Sequence, residues 1–311
     1  MNIGLRYLIV LLLTLLFGCN SSDEKKPIIK NSIKSTDGHL DTHRNTSEAF
    51  KKYWFGGKAE ITSYKLMQER YGEIREGTAV TVYVTEDFLS DAQVKTDSKS
   101  DNNMAILKLN RTKKFNTGIY PYSIMTSVFN PISHATHALK VSTSIQEWCG
   151  QLYMQLNNRK DFEINSHSYF EAEGDQKFNL SKTWLEDEIW NIIRLNPEEL
   201  PIGDLKMIPS FEYLRFQHKE VKDHSAFATI KQGETITNYT IHYSSLQRQM
   251  RFSFNNKFPY EIEEWEEINV AQQNDTLRLR TTATKMERIK TDYWNQHTSE
   301  FSHLRDSLKL N

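Results

Sequence analysis

The sequence predicts a mainly β protein of the α+β class: an antiparallel curved sheet or open barrel with one mid-chain helix and a C-terminal helix. Three observations predict it. Most of the chain after residue 48 falls into short runs of β-branched and aromatic residues, separated by Gly, Pro, Asn and Asp turn signals. Only two segments carry a helical 3–4 residue period. The 16 Phe, 14 Tyr and 6 Trp supply enough large apolar surface for a sizeable core, despite a polar average composition.

The first nineteen residues set the expected location. Arg6 precedes an apolar run, Tyr7–Phe17, which is too short to span a bilayer (a span needs about 20 residues) but fits a signal-peptide core. Leu16-Phe17-Gly18-Cys19 resembles the bacterial lipobox. That resemblance implies a signal peptide over 1–18, lipid attachment at Cys19, and an outer membrane lipoprotein on the periplasmic face or cell surface. Residues 19–48 are expected to form a lipidated N-terminus and flexible tether, because they are polar and poor in large apolar side chains. Within them, Ser21-Ser22-Asp23-Glu24 looks like the acidic export signal of some Bacteroidota surface lipoproteins, and it reads equally well as a plain solvated linker.

The remaining 49–311 are expected to form one β-rich domain. Tyr53-Trp54-Phe55 anchors its start. Ala59–Gln68 and Thr78–Thr85 read as a hairpin, and Met104–Asn110 as a returning strand. Ile124–Phe129, Leu139–Ile145 and Trp148–Leu156 follow. Between the last two the apolar parity shifts, which predicts a β-bulge in one long strand. Phe162–Glu171 runs back. A helix over 182–195 is predicted by a Thr183/Glu186 capping box and by Leu185, Ile189, Ile192 and Ile193 on one stripe, with Asn196-Pro197 as the stop. Lys206–Phe216, Ala226–Ile230, Thr235–Tyr243, Gln249–Phe254, Tyr260–Ile268 and Thr276–Thr284 read as strands of an antiparallel meander. A second helix is expected over 285–308, from the spacing of Met286, Ile289, Tyr293, Phe301 and Leu304.

Composition narrows function more than any motif does. The formal charge of −1 excludes the basic field of an electrostatic nucleic-acid binder. With Cys19 lipidated, Cys149 has no partner for an intramolecular disulfide and is expected to be a small buried hydrophobe. The sequence holds no H-E-x-x-H, G-x-S-x-G, Walker loop, calcium loop or paired C-x-x-C.

Weaker constellations remain. His134 and His137 are three apart but follow Pro131, so they read as exposed loop residues rather than metal ligands. His167, Tyr169, Glu171 and Glu173 alternate on one strand face. They read as its solvated side, or alternatively as a hydrolase site in which His167, Glu171 and Glu173 do acid–base work. The Glu261–Glu267 acids read as solvent-facing rather than as a calcium site. Tyr120, Tyr122, Phe211, Tyr213 and Phe216 fit either core packing or the wall of an apolar pocket.

At Tyr53–Tyr64, Lys113–Tyr122 and Gln146–Asn158 the chain resembles a Bacteroidota family of uncharacterised lipoproteins, through most of the region after Phe50. Its members are sometimes labelled septum formation inhibitor Maf. That label does not fit, because the S-x-S-x-x-R motif of the cytoplasmic nucleotide pyrophosphatases is missing. The resemblance supports the localisation and supplies no catalytic residue. The expectation is a membrane-anchored, non-enzymatic module for a lipophilic ligand or envelope partner, with no cofactor and no metal.

Overall fold

The computed structural model describes residues 42–98, 100, 103–269 and 279–310, all within one compact unit. The signal peptide over 1–18, Cys19 and most of the expected tether lie outside the described residues. Strands and helices follow in the order β1 (Thr42–His43), α1 (Glu48–Trp54), β2 (Ala59–Arg70), β3 (Glu73–Leu89), β4 (Val94–Lys95), β5 (Met104–Thr117), β6 (Tyr120–Pro131), β7 (His134–Ala135), β8 (Lys140–Glu147), β9 (Gly150–Asn158), β10 (Phe162–Ser168) and β11 (Gln176–Leu180). The second half holds β12 (Trp184–Leu185), α2 (Glu186–Leu195), β13 (Gly203–Ile208), α3 (Phe211–Phe216), β14 (His224–Gln232), β15 (Ile236–Tyr243), β16 (Arg248–Asn255), β17 (Ile262–Asn269), β18 (Arg280–Thr291) and α4 (His303–Ser307).

One sheet takes nearly every strand, in the order β11-β10-β9-β8-β6-β5-β3-β2-β18-β17-β16-β15-β14-β13-β12. It is two meanders, one from each half of the chain, joined where β2 pairs with β18. Neighbours are antiparallel except the short β12–β13 pair. The sheet is open, but it cannot be flat. Its two edges, β11 and β12, are separated by three residues in sequence, so Leu180 and Trp184 lie within about 14 Å of each other. Fifteen strands at about 4.8 Å spacing would place flat edges more than 60 Å apart. The sheet therefore curls back on itself and encloses α2.

All ten residues of α2 are buried. Trp190 packs on Phe252 and Trp265 from one meander, and its carbonyl accepts from the Tyr83 hydroxyl of the other. Burying the helix on every side explains why its polar residues all find protein partners. Asn191 donates to the carbonyls of Leu107 and Val128 and to Asn130 Oδ1. On the outer face, Leu308 and Leu310 cover Ile61, Val80, Val82 and Ile289.

Several expectations are corrected. Order begins by Thr42 rather than Ala49: β1 pairs with β7, and buried Arg44 binds Glu199 and the carbonyls of Pro131 and Ile132. Helix α1, capped by Ser47, follows. The parity shift between Ile145 and Leu152 is a hairpin, not a bulge. Glu147 pairs with Gly150 across a two-residue turn, so odd positions on β8 face even positions on β9. Lys206–Phe216 is a strand and then a helix: Pro209 ends β13, and the Ser210 hydroxyl accepts from Tyr213 N–H to cap α3.

The mid-chain helix is present but starts later than expected. Thr183 is spent on the Lys206 carbonyl, and the capping carboxylate is Glu188, which accepts from Leu185 N–H. A C-terminal helix is present too, but only as α4. Lys285–Thr291 continues β18, and a register shift between Lys285 and Arg288 produces the three-residue spacing that mimics a helical period. Gln176–Leu180 is a strand that no sequence pattern marked.

Candidate functional site

Three consecutive acids open α2, at the end where the helix dipole favours negative charge. Each is held by a different part of the surrounding fold. Glu186 takes a bidentate pair from Arg248 (2.5 and 2.7 Å) and a hydrogen bond from the Tyr243 hydroxyl (2.8 Å). Asp187 accepts from Phe211 N–H at 2.9 Å, and its other oxygen lies 3.6 Å from Arg111. Glu188 accepts from Ala138 N–H at 2.7 Å and meets His137 Nδ1 at 2.8 Å. At the far end, Arg194 donates to both oxygens of Glu60 (2.6 and 2.7 Å) and to the Pro259 carbonyl. The Tyr53 hydroxyl donates to the same carboxylate.

Charge compensation decides the protonation of these groups. Burial alone would raise the carboxyls of Glu60, Glu186 and Glu212. The cations beside them outweigh burial and hold all three below the usual range: Arg194 at Glu60, Arg248 at Glu186, and Lys113 with Arg111 at Glu212. Asp187 is the exception. Burial pushes it up to about 6, because Arg111 is farther away and shared with Glu212. Burial likewise raises Tyr213 to about 12.

A narrow polar cleft reaches this network from outside. Gln68, Arg70, Glu212, Phe216, Glu267 and Thr281 line it, and the buried Lys113 ammonium bridges two of them, Glu212 (2.7 Å) and Gln68 (3.3 Å). Its free space is about 20 Å³, which suits a water molecule rather than a lipid chain. The cations and carboxylates beneath it share partners, with Glu212 between Lys113 and Arg111 and Arg111 between Glu212 and Asp187, which is the arrangement of a structural ion-pair network.

The sequence candidates are scattered. His167 is exposed and pairs with Asp175 at 3.3 Å, and Glu171 is exposed beyond the end of β10. Glu173 instead turns inward to Arg215 (3.2 Å) and His218 (2.8 Å). His167 and Glu173 thus have separate partners, and Glu171 joins neither. His134 sits in β7 opposite His43. His137 is buried, contrary to the exposed-loop expectation, because Glu188 and the Phe162 and Trp184 rings enclose it. The Glu261–Glu267 acids pair with cations on neighbouring strands, including Glu263 with Lys285 and Glu266 with Arg251 and Arg280. Among the described residues no group of three or more His, Cys, Asp or Glu is placed to hold a metal ion.

Cys149 is exposed rather than buried, since it occupies the β8–β9 turn. Its backbone N–H donates to Glu147, and that carboxylate, by hydrogen bond and charge, raises the thiol pKa.

The aromatics suggested as a pocket wall divide between core and rim. Phe115 stacks on Tyr122 at 4.9 Å, and Phe216 meets both edge-on. Tyr122 continues outward to Tyr71, hydroxyl to hydroxyl at 2.9 Å, and to Tyr120, whose ring lies 6.3 Å from Trp148. No helix among the described residues is long and apolar enough to cross a membrane. Set against known protein families, curated proteins and solved structures, the chain matches none.

Sequence reading missed the charged hub, although a signal was available. Glu60 shares the parity of Tyr64 and Leu66, Arg111 and Lys113 that of Leu109 and Phe115, and Arg248 that of Met250 and Phe252, all inward-facing.

Proposed function

We propose that the protein is a lipid-anchored lipoprotein of the bacterial outer membrane, on the periplasmic face or cell surface. It acts there as a non-enzymatic binding module, and its recognition surface lies outside the sheet. The anchor reading is supported by Leu16-Phe17-Gly18-Cys19 and by the segments that resemble Bacteroidota lipoproteins. One observation carries the outward-facing part: the concave side, where a curved sheet would hold a lipophile, is filled by α2 and its ion pairs. An envelope partner or surface therefore fits better than a lipid within the fold.

Intact-mass measurement of protein from a lipoprotein-processing host tests both parts. The expected species lacks residues 1–18, carries acyl mass on Cys19, and retains no further lipid under native spray. An unacylated chain would overturn the anchor. A stoichiometric lipid that survives removal of the N-terminal segment would overturn the external-surface part.

A further inference from the structure

One end of the curled sheet carries a row of exposed apolar side chains on successive hairpin tips. The registers Arg70↔Glu73, Thr117↔Tyr120 and Glu147↔Gly150 place the β2–β3, β5–β6 and β8–β9 turns side by side, and the end of β10, Ser168 opposite Leu152, adjoins them. Each tip presents one large residue: Tyr71 is 60%, Ile119 82%, Trp148 68% and Tyr169 79% exposed. Ring and hydroxyl contacts link part of the row. Tyr71 joins Tyr122 and Tyr120, Tyr120 joins Trp148, and the Tyr169 ring lies over Gly150, where a Cβ would come within 3.0 Å of it. A side chain at 150 would therefore push Tyr169 out of line.

We propose that this row of tips rests in the headgroup layer of the bilayer to which Cys19 anchors the chain, so that the membrane surface itself is the partner of the binding module. The inference rests on the anchor reading given above. Its own support is chemical and geometric. Tyr and Trp pair an apolar ring with a polar edge, which suits the boundary between headgroups and acyl chains. The side chains stand on separate tips along one end, which matches a plane better than a peptide segment.

The chain outside the described residues allows this placement. Thr42 enters at the opposite end of the sheet, through β1 and β7. About 23 residues separate it from Cys19, a reach of at most about 80 Å. The longest strand, β3, has 17 residues and spans about 55–58 Å, so the anchored chain can bring the far end to its own bilayer. The tips carry no basic excess: Arg70 and Arg75 stand against the acids Glu73, Glu147, Glu171 and Asp175. Docking should therefore proceed on zwitterionic lipid and resist salt, unlike binding driven by basic residues.

Cys149, exposed beside Trp148, allows a direct test without adding a cysteine. The full-length protein, expressed in a lipoprotein-processing host, is labelled there with an environment-sensitive fluorophore and reconstituted in phosphatidylcholine vesicles. Lipids carrying a quencher at shallow or deep positions then report the probe's depth. The proposal expects quenching of about twofold or more by the shallow quencher, persistence in high salt, and loss of quenching in the Ile119→Ser/Trp148→Ser/Tyr169→Ser variant. A probe that stays open to aqueous iodide on acylated, vesicle-bound protein overturns docking and leaves the anchor intact. Shielding from iodide without lipid quenching also overturns it, and indicates a protein or second copy as occupant. If mass spectrometry finds Cys19 unacylated, the anchor falls separately. Excess vesicles added to its Cys19→Ser form, labelled at Cys149 alone, then decide the row: shallow quenching supports docking, and its absence overturns it.

Discussion

Replacing Arg194 by Leu should be among the most damaging single changes available in the interior. Its guanidinium bonds both oxygens of Glu60, with the two side chains 1% and 0% exposed, and also binds the Pro259 carbonyl. The substitution leaves the Glu60 carboxylate buried with the Tyr53 hydroxyl and a longer 3.5 Å contact to Arg288. Breaking a buried pair in this way costs about 3–5 kcal/mol, a fall in Tm of roughly 6–20 °C for a chain of this size. Replacing both partners, Glu60→Leu with Arg194→Leu, removes the stranded charge and should recover most of that loss. Urea unfolding of the four members of the cycle measures the coupling. A single-variant loss under about 1 kcal/mol, or a double variant that loses the sum of the singles, would refute the claim that the pair is a compensated buried charge.

Four other outcomes are expected. Asp187, raised by burial to about 6, holds an extra proton in the folded state between about pH 4 and 6, so its contribution to stability falls as pH rises through that window. Asp187→Asn should therefore gain on the parent by up to about 3 kcal/mol between pH 4 and 7, read as the shift between their urea midpoints. The depressed carboxyls of Glu60, Glu186 and Glu212 act oppositely: their stabilisation is present above the ordinary Glu range and is lost as pH falls through their folded values. Gly77→Ala should cost about 1–3 kcal/mol by thermal melting, because its Cβ would meet the Lys114 carbonyl oxygen at 2.2 Å and Phe115 Cβ at 2.7 Å. The Cys149 thiol should react with a disulfide reagent in the folded protein, and faster in Glu147→Gln at pH 8, since removing the carboxylate relieves the raised pKa. An equal rate in the two proteins would count against that coupling.

Much of the sheet was legible because period-2 alternation is a local property. Val141, Thr143 and Ile145, or Met250, Phe252 and Phe254, declare an inward face without reference to the rest of the chain. Where a local period was ambiguous, distant partners decided the outcome. The irregular register in β18 counterfeited a helix, and Phe211–Phe216 has strand-like composition but a Ser cap. The short β1 is stabilised beside Arg44 by contacts more than 80 residues away. The charged hub is the extreme case. Its members come from β2, β5, α2, α3 and β16, and only three are consecutive in sequence. The aromatic tips were visible as residues but not as a row, since their alignment depends on which strands are neighbours.

The pairing of β2 with β18 has a kinetic side. Residues about 215 apart in sequence meet at the middle of the sheet, Thr282 against Met67 and Ala283 against Leu66, so the two meanders join only after β18 has been made. Each meander is rich in neighbour-to-neighbour contacts and can close hairpin by hairpin, whereas the central ladder carries the loop-closure entropy of the chain between them. Helix α2 makes the dependence stricter. Arg194 finds its carboxylate in the first half, at Glu60, while Glu186 waits for Arg248 in the second. A chain halted before residue 248 therefore has a helix whose Arg194 is answered but whose Glu186 lacks its cation, and collapse around it is disfavoured until β16 has been made. Under the export proposed above, late closure would keep the chain threadable during translocation.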